Sequence, residues 1–433
     1  KCQLAREDGK EDKRRTYRAE VFRRAARHVY KQGRFSRKML QDAPVVAAIR
    51  ETYECLRPAL KHLSHSTPKA VRDALDHNAF IFSGFKTYHS LREVGLSLTR
   101  EDGHVKSLEE FKESVRAIHG RYNERYLESE YEHAVGSVLM ADRWHATAPK
   151  SILEYRTAGD NKVRPAHEAL DRTRLPKEDR FWMDYFPPNG WGCRCDAVEV
   201  SSDTPLSDPH SSWERGDAAL RGNKQELFRG NPGRDLRLYP DKHPYYGERG
   251  ITHCSIAKHS KEDSECEVLR ELEQIKAKED EFKLIPTKQG QVLRHIDLNS
   301  QELDKNTAIA SWLANTHGYH IRLYPDKSNL GIPSYDSYNE TLERAEEYKT
   351  LTEVKLNTIK QEIRNAIPQA PHVVLMLPDV LDDLTIARAV GSKFKDHPSL
   401  QSVRFIAPND DGVLYDRIVD RQDWEQRKKK GKK

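Results

Sequence analysis

The chain has 433 residues, of which 36% are hydrophobic and 33% are charged, and its net charge is +5. This length favours two or three domains over one core. A mean hydropathy of −0.85 with 8% aromatic residues is polar, but it is not the composition of a wholly disordered chain. No apolar run approaches the roughly eighteen residues that cross a bilayer, so we expect no membrane partner.

The chain termini and the cysteines add three expectations. The first ten residues are charged and have no apolar signal core, so we expect no secretory peptide. Six cysteines in so long a chain predict no disulfide framework and favour reduced thiols in a cytoplasmic setting. The C-terminal run RKKKGKK is either a solvated tail or a phosphate-attracting tail.

Residues 1–150 are predicted to be mostly helical, because apolar residues recur there every three or four positions. Ser107 and Glu110 have the spacing of a capping box that opens a helix. Five residues that follow would form one apolar stripe facing the core: Phe111, Val115, Ile118, Tyr122 and Tyr126.

From residue 151 the pattern changes to short segments, turns and many aromatic residues. We predict a small domain over 151–245 and a connector with one polar helix over 246–290. From 291 to 423, helical and strand patterns alternate in an α/β order, and 424–433 form a basic tail. The expected fold class is therefore α+β and multidomain, with a helical N-terminal region and an α/β C-terminal domain.

The segment FWMDYFPPNGWGCRC, residues 181–195, combines turn residues, aromatic rings and two cysteines. Its PPNG sequence predicts a rigid turn that presents Trp191. Cys193 and Cys195 would point the same way on an extended chain. With His167 they are either buried thiols beside a packed histidine, a zinc site, or a redox pair. Zinc is the weaker alternative, because a full set of four ligands is not evident.

The same segment closes a longer pattern that resembles the head-morphogenesis family of tailed bacteriophages, also known as Mu F or minor head proteins. The resemblance covers roughly residues 75–240 and rests on YRTAGD, Arg164, His167, Leu170, Trp182 and PPNGWGCRC. Arg172 stands where this family usually has glycine. The resemblance implies a minor virion protein near the portal, with portal and head proteins as partners and a role in head assembly or DNA delivery.

A second cluster of polar residues lies near the C-terminus. Asp336 precedes Glu347 by eleven residues, and Lys349 follows two beyond. On a strand, Glu347 and Lys349 would share a face and Glu346 would face away. If Asp336 lies on the neighbouring strand, two carboxylates meet one ammonium group. Alternatively, DSYNETLERAEEYKTL is one amphipathic helix and the three groups are scattered.

Two carboxylates beside a lysine suit metal-assisted phosphodiester cleavage. Asp336 and Glu347 would hold Mg²⁺ through hard oxygen ligands. The metal would lower the pKa of its bound water and stabilise charge on phosphorus, and Lys349 would position that water or balance the transition state. Gln369 would contact substrate, orient Lys349, or merely cap a helix. Arg322, Lys327 and Lys355 would guide a phosphate backbone or remain solvated charges.

Residues 290–410 resemble the tRNA-cleaving C-terminal domains of bacterial contact-dependent inhibition toxins, within the PD-(D/E)xK-like nucleases. The resemblance rests on IASWLANTHGYHIRLYP, Asp336, Glu347 to Lys349, NTIKQEIRNAI, Gln369 and HVVLML. It implies a Mg²⁺-dependent ribonuclease with tRNA as substrate and an immunity protein as a further partner.

Together these patterns predict a phage minor head protein that carries a nuclease effector, located in the virion and acting in the bacterial host cytoplasm. The alternative is a purely structural virion protein whose C-terminal module is catalytically inert.

Overall fold

The computed structural model describes residues 10–221, 225–247, 250–256, 264–298, 300–325, 335–407 and 415–430. The chain divides into two compact units, Lys1–Lys276 and Ala277–Lys433. None of the helices within the described ranges combines the length and the apolar character needed to cross a membrane. The fold is α+β, as predicted: helices dominate the start of the chain, and a mixed sheet forms the second unit.

The first half of the first unit is helical because apolar residues recur at helical spacing. Ser107 and Glu110 form the predicted capping box: the Ser107 Oγ accepts a hydrogen bond from the Glu110 amide, and the Glu110 carboxylate accepts one from the Ser107 amide at 2.9 Å. The helices are α1 Lys10–Gln32, α2 Ala43–Leu56, α3 Lys69–Leu96, α4 Leu108–His119 and α5 Leu127–Ala146.

The predicted apolar stripe is correct over its first four members. Phe111, Val115 and Ile118 are buried and Tyr122 packs partly buried against the same core, but Tyr126 is 40% exposed. The reason is a π-helical stretch over Gly120–Tyr126. A wider helical turn changes the number of residues per turn, so the later positions no longer follow the α-helical face.

A buried ion pair joins α3 to α5. The Lys86 ammonium contacts the Glu130 carboxylate, and these side chains are only 1% and 4% exposed. Glu130 Oε1 also accepts a hydrogen bond from the Tyr245 hydroxyl at 3.2 Å, and the Tyr239 hydroxyl donates to the Glu130 carbonyl at 3.1 Å. Burial lowers the pKa of Lys86 and raises that of Glu130, so their charges depend on each other.

After α5 the chain forms a three-stranded sheet in the order β2-β1-β3, with β1 antiparallel to both neighbours. Arg172, in the turn before β2, has a φ of 57°, which is the left-handed region that favours glycine. This is the position where the resembled family usually has glycine. The elements are β1 Ile152–Arg156, α6 Pro165–Glu168, β2 Arg174–Pro176, α7 Phe181–Asp184, β3 Asp196–Val200, α8 Pro209–Leu220 and α9 Pro232–Asp235.

Two further helices follow in the predicted connector, α10 Ile251–Ile256 and α11 Ser264–Asp280. The polar helix was predicted, but its Val268, Leu272 and Ile275 lie in the core of the first unit. Cys254 and Cys266 form a disulfide, so the prediction of reduced thiols is wrong for this pair. The two sulfurs meet because α10 lies beside the start of α11. The separation of the two cysteines in the sequence does not predict this contact.

The second unit is built on an eight-stranded sheet in the order β11-β10-β9-β8-β7-β6-β5-β4. Alternating residues of its strands pack against α12 on one face and against α13 and α14 on the other. The elements are β4 Phe282–Ile285, β5 Gln291–His295, α12 Ser300–His317, β6 His320–Leu323, β7 Ser337–Asn339, β8 Arg344–Thr350, α13 Leu356–Ala366, β9 His372–Met376, α14 Asp383–Asp396, β10 Ser402–Ala407, β11 Tyr415–Asp420 and α15 Arg421–Lys430.

The segment DSYNETLERAEEYKTL is a hairpin and not a helix. Within it, β7 and β8 pair antiparallel, with Ser337 opposite Glu346. Of the predicted basic tail, 424–430 belong to α15 and 431–433 lie outside the described residues.

Replacing Glu130 by alanine tests the buried pair, because it leaves the Lys86 charge buried without its counter-ion. We expect the free energy of unfolding to fall by about 3–5 kcal/mol, measured by urea unfolding followed through tryptophan fluorescence. The control is Asp73→Ala, which breaks the solvent-exposed Lys69–Asp73 pair and should cost no more than about 1 kcal/mol. Equal losses in the two variants would contradict this role for Glu130.

Candidate functional site

The β7–β8 hairpin brings together the two carboxylates and the lysine that the sequence singles out. Asp336 directly precedes β7, while Glu347 and Lys349 are two apart on β8 and share a face. The Lys349 Nζ donates to Glu347 Oε1 at 2.7 Å, and the Asp336 amide donates to Glu347 Oε2 at 3.3 Å. We call these three residues the acidic–lysine cluster.

The Asp336 carboxylate is held by two donors from different elements. Its Oδ2 accepts a hydrogen bond from the Tyr348 amide at 2.8 Å, and its Oδ1 accepts one from the Asn306 side-chain amide of α12 at 3.0 Å. Asn306 was not evident from the sequence, because it lies thirty residues before Asp336 and has no characteristic spacing from it. These two bonds orient the carboxylate before any ligand binds.

Glu347 is nearly inaccessible, with 1% of its surface exposed. Burial, together with the Asp336 carboxylate, raises its pKa to about 8, and Lys349 opposes this rise. Burial also disfavours the charge of Lys349, but the two acids outweigh it and raise the pKa of that amine. A carboxylate whose ionisation is resisted by a second carboxylate is typical of a site that a cation would stabilise.

Glu346 faces the other side of the sheet, as predicted. It is fully buried, its Oε1 accepts from Arg344 Nε at 2.7 Å, and its Oε2 accepts from the Tyr348 hydroxyl at 3.3 Å. The two adjacent glutamates therefore have different surroundings. Glu346 is buried in an ion pair with Arg344, and Glu347 belongs to the acidic–lysine cluster.

Among the described residues, no hydrogen bond or ion pair joins Gln369, Arg322 or Lys355 to this cluster. Gln369 lies in the turn after α13, where its amide donates to the Ala366 carbonyl, and among the described contacts its side chain makes no hydrogen bond to the cluster. Arg322 is buried and paired with Glu279 and Glu340, so both alternatives for it, a guide for a phosphate backbone and a solvated charge, are wrong. Lys355 is exposed and paired with Glu353, and Lys327 lies outside the described residues.

A second cluster lies in the first unit, where α6 meets the turn before β3. His167 Nδ1 lies 3.6 Å from Cys193 Sγ and 3.4 Å from Cys195 Sγ, and the three ligand atoms all lie within 4.8 Å of one another. His167 is buried, while both cysteines are partly exposed. We call these three residues the histidine–cysteine cluster.

The PPNG turn holds this second cluster through Asn189, whose role was missed in the sequence. The Asn189 carbonyl lies 3.1 Å from His167 Nε2, and its side-chain oxygen accepts a hydrogen bond from the Tyr155 hydroxyl at 2.9 Å. A hydrogen bond from Cys195 lowers the pKa of Cys193. As the donor, Cys195 has a raised pKa.

The turn also presents Trp191, as predicted. Its ring packs against His133, Phe228 and His243, with centroids 4.9, 5.2 and 5.7 Å away. Trp191 and the two cysteines of segment 181–195 thus have different roles. Trp191 packs against the helical core, and Cys193 and Cys195 face His167.

Comparison with known proteins matches parts of the chain. Residues 103–198 match the model of a family described as Phage Mu protein F like protein. A stretch of 49 residues is 40% identical to the putative capsid assembly protein F of Escherichia phage Mu, and it covers 11% of this chain and 11% of that protein. No solved structure matches the chain. The region that the family model matches includes the whole histidine–cysteine cluster, so this part of the chain is similar to Mu F-like proteins.

Proposed function

We propose that this chain is a component of a phage head and that its second unit is a metal-dependent nuclease. The first part rests on the Mu F-like region and on the name of its phage Mu relative, a putative capsid assembly protein. The second part rests on one observation, the convergence of Asp336, Glu347 and Lys349 in the β7–β8 hairpin.

In the proposed head role, the chain binds portal and head proteins and resides in the virion. Such a position would deliver the second unit into a bacterial cytoplasm together with the phage DNA. The partners are therefore of two kinds, structural proteins of the particle for the first unit and a nucleic acid for the second.

In the proposed nuclease, Asp336 and Glu347 would share a Mg²⁺ ion. Each carboxylate oxygen accepts one hydrogen bond in the structure and keeps further lone pairs for a cation. The ion would generate a hydroxide and stabilise charge on phosphorus. Lys349, a quarter exposed, is placed to neutralise the transition state or to orient the attacking water.

RNA is the proposed substrate, with tRNA as the first candidate, because residues 290–410 resemble tRNA-cleaving toxin domains. The same resemblance suggests an immunity protein that covers the acidic–lysine cluster in cells that must survive. The competing function is a purely structural one, in which the acidic–lysine cluster is inert and only the head role remains.

Glu347→Gln tests the nuclease. It removes one proposed metal ligand, so we expect at least about a 100-fold loss of cleavage, measured as Mg²⁺-dependent breakdown of end-labelled tRNA by the full chain. Lys349→Met should lose a similar factor while still binding RNA.

The matched control is Glu346→Gln, which alters an equally buried carboxylate on the opposite face. It should retain cleavage as long as circular dichroism shows that it is folded. Binding of Mg²⁺ and of several RNAs by the wild-type chain without any cleavage would refute the nuclease and leave the structural function.

The head role has its own test. When the full chain is co-expressed with the portal and head proteins of its phage, we expect it to co-sediment with assembled particles. Glu347→Gln should co-sediment equally well, because the proposed catalytic group has no part in assembly. Complete particles that contain none of the chain would contradict the head role without affecting the nuclease.

A further inference from the structure

The proposed function leaves the histidine–cysteine cluster unexplained. Its atoms have the spacing of a metal site. In tetrahedral zinc sites, Zn–S is about 2.3 Å and Zn–N about 2.0–2.1 Å, which separates a nitrogen and a sulfur ligand by roughly 3.6 Å. The distances from His167 Nδ1 to the two sulfurs are 3.6 and 3.4 Å.

The surroundings of His167 favour a lone pair on Nδ1, the nitrogen that faces the two sulfurs. A backbone carbonyl can only accept a hydrogen bond, so the Asn189 carbonyl, 3.1 Å from Nε2, assigns the proton to Nε2. In the neutral imidazole, the lone pair is then on Nδ1, the atom that faces the two sulfurs. Metal-bound histidines commonly donate their second N–H to a carbonyl or carboxylate, which fixes the ring and raises its basicity.

The chemistry of the donors selects the ion. Two thiolates and one imidazole form a soft nitrogen–sulfur set, which suits Zn²⁺ and does not suit Mg²⁺. Within the described part of the chain, no other group of three His, Cys, Asp or Glu side chains has this spacing. Packing of buried thiols alone does not require both sulfurs to meet the lone pair of one imidazole.

We propose that the first unit binds one Zn²⁺ ion through His167 Nδ1, Cys193 Sγ and Cys195 Sγ. Both cysteines bind as thiolates, and any proton that their thiols still carry is released to solvent. Water fills the fourth position, because both cysteines are partly exposed. The ion ties the PPNG turn to α6 and so holds Trp191 against His133 and Phe228.

Cobalt substitution tests this site without relying on any activity. The full chain is reduced, stripped of metal by a chelator and titrated with Co²⁺. We expect about one equivalent to bind, with the absorption bands of a tetrahedral ion bound to thiolates, and Zn²⁺ should displace it. X-ray absorption of the zinc form should show two sulfur neighbours and at least one imidazole nitrogen.

Variants locate the site within the chain. Cys193→Ser, Cys195→Ser and His167→Gln should each weaken binding by at least about tenfold. Cys55→Ser, at a cysteine on α2 that forms no disulfide, should bind as the wild type does, and so should Cys254→Ser, which removes the disulfide. Because a variant can fail to fold, the wild-type cobalt spectrum stands as an independent measurement.

Three outcomes would overturn the proposal. The first is that the reduced wild-type chain binds no stoichiometric zinc or cobalt. The second is that the Cys193→Ser/Cys195→Ser double variant binds the ion as well as the wild type does. The third is that the purified chain carries a Cys193–Cys195 disulfide and takes up no metal after that bond is reduced, which would support the redox interpretation.

Discussion

The antiparallel register of β7 on β8 is the constraint on which the second unit's chemistry depends. Ser337 lies opposite Glu346, which places the preceding residue, Asp336, beside Glu347. Side chains alternate between faces along a strand, so a shift of one residue would exchange the two sets. The face now occupied by Glu347 and Lys349 would then carry Glu346 and Tyr348. A carboxylate would remain, but the ammonium group would be replaced by a phenol.

The first unit depends on a different kind of constraint, a charge pair inside an aromatic core. Water does not stabilise the charges of the buried Lys86 and Glu130 side chains, so each keeps its charge only because the other is present. Hydrogen bonds from Tyr239 and Tyr245 to Glu130 attach the segment after α9 to the same centre. The Trp191 ring packs against that segment at His243, which links the ion pair to the histidine–cysteine cluster through adjacent aromatic contacts.

Much of the fold follows from local patterns in the sequence. The capping box at Ser107 was predictable because its two partners are three residues apart. For the segment around Glu347 the sequence allowed either a strand or an amphipathic helix. Pairing with β7 and β9 makes it a strand. The prediction that Tyr126 faces the core was wrong, because the spacing of apolar residues does not reveal a π-helical stretch.

The rest depends on contacts between distant parts of the chain. Asn306 reaches Asp336 from another element, and Arg322 is enclosed by Glu279 and Glu340. The pairing of Cys254 with Cys266 depends on how two helices pack. In contrast, the sequence singled out Asp336, Glu347 and Lys349 correctly as neighbours, because two of them share one strand and the third precedes its partner strand.

The contact between His167 and Asn189 has a consequence for how an ion would be captured. The group that fixes the ring is a main-chain carbonyl, so no side-chain exchange at residue 189 can delete it without moving the turn itself. The imidazole is therefore oriented once, when the chain folds, and not again at each encounter with an ion. Such preorganisation moves the entropic cost of arranging this ligand from binding to folding.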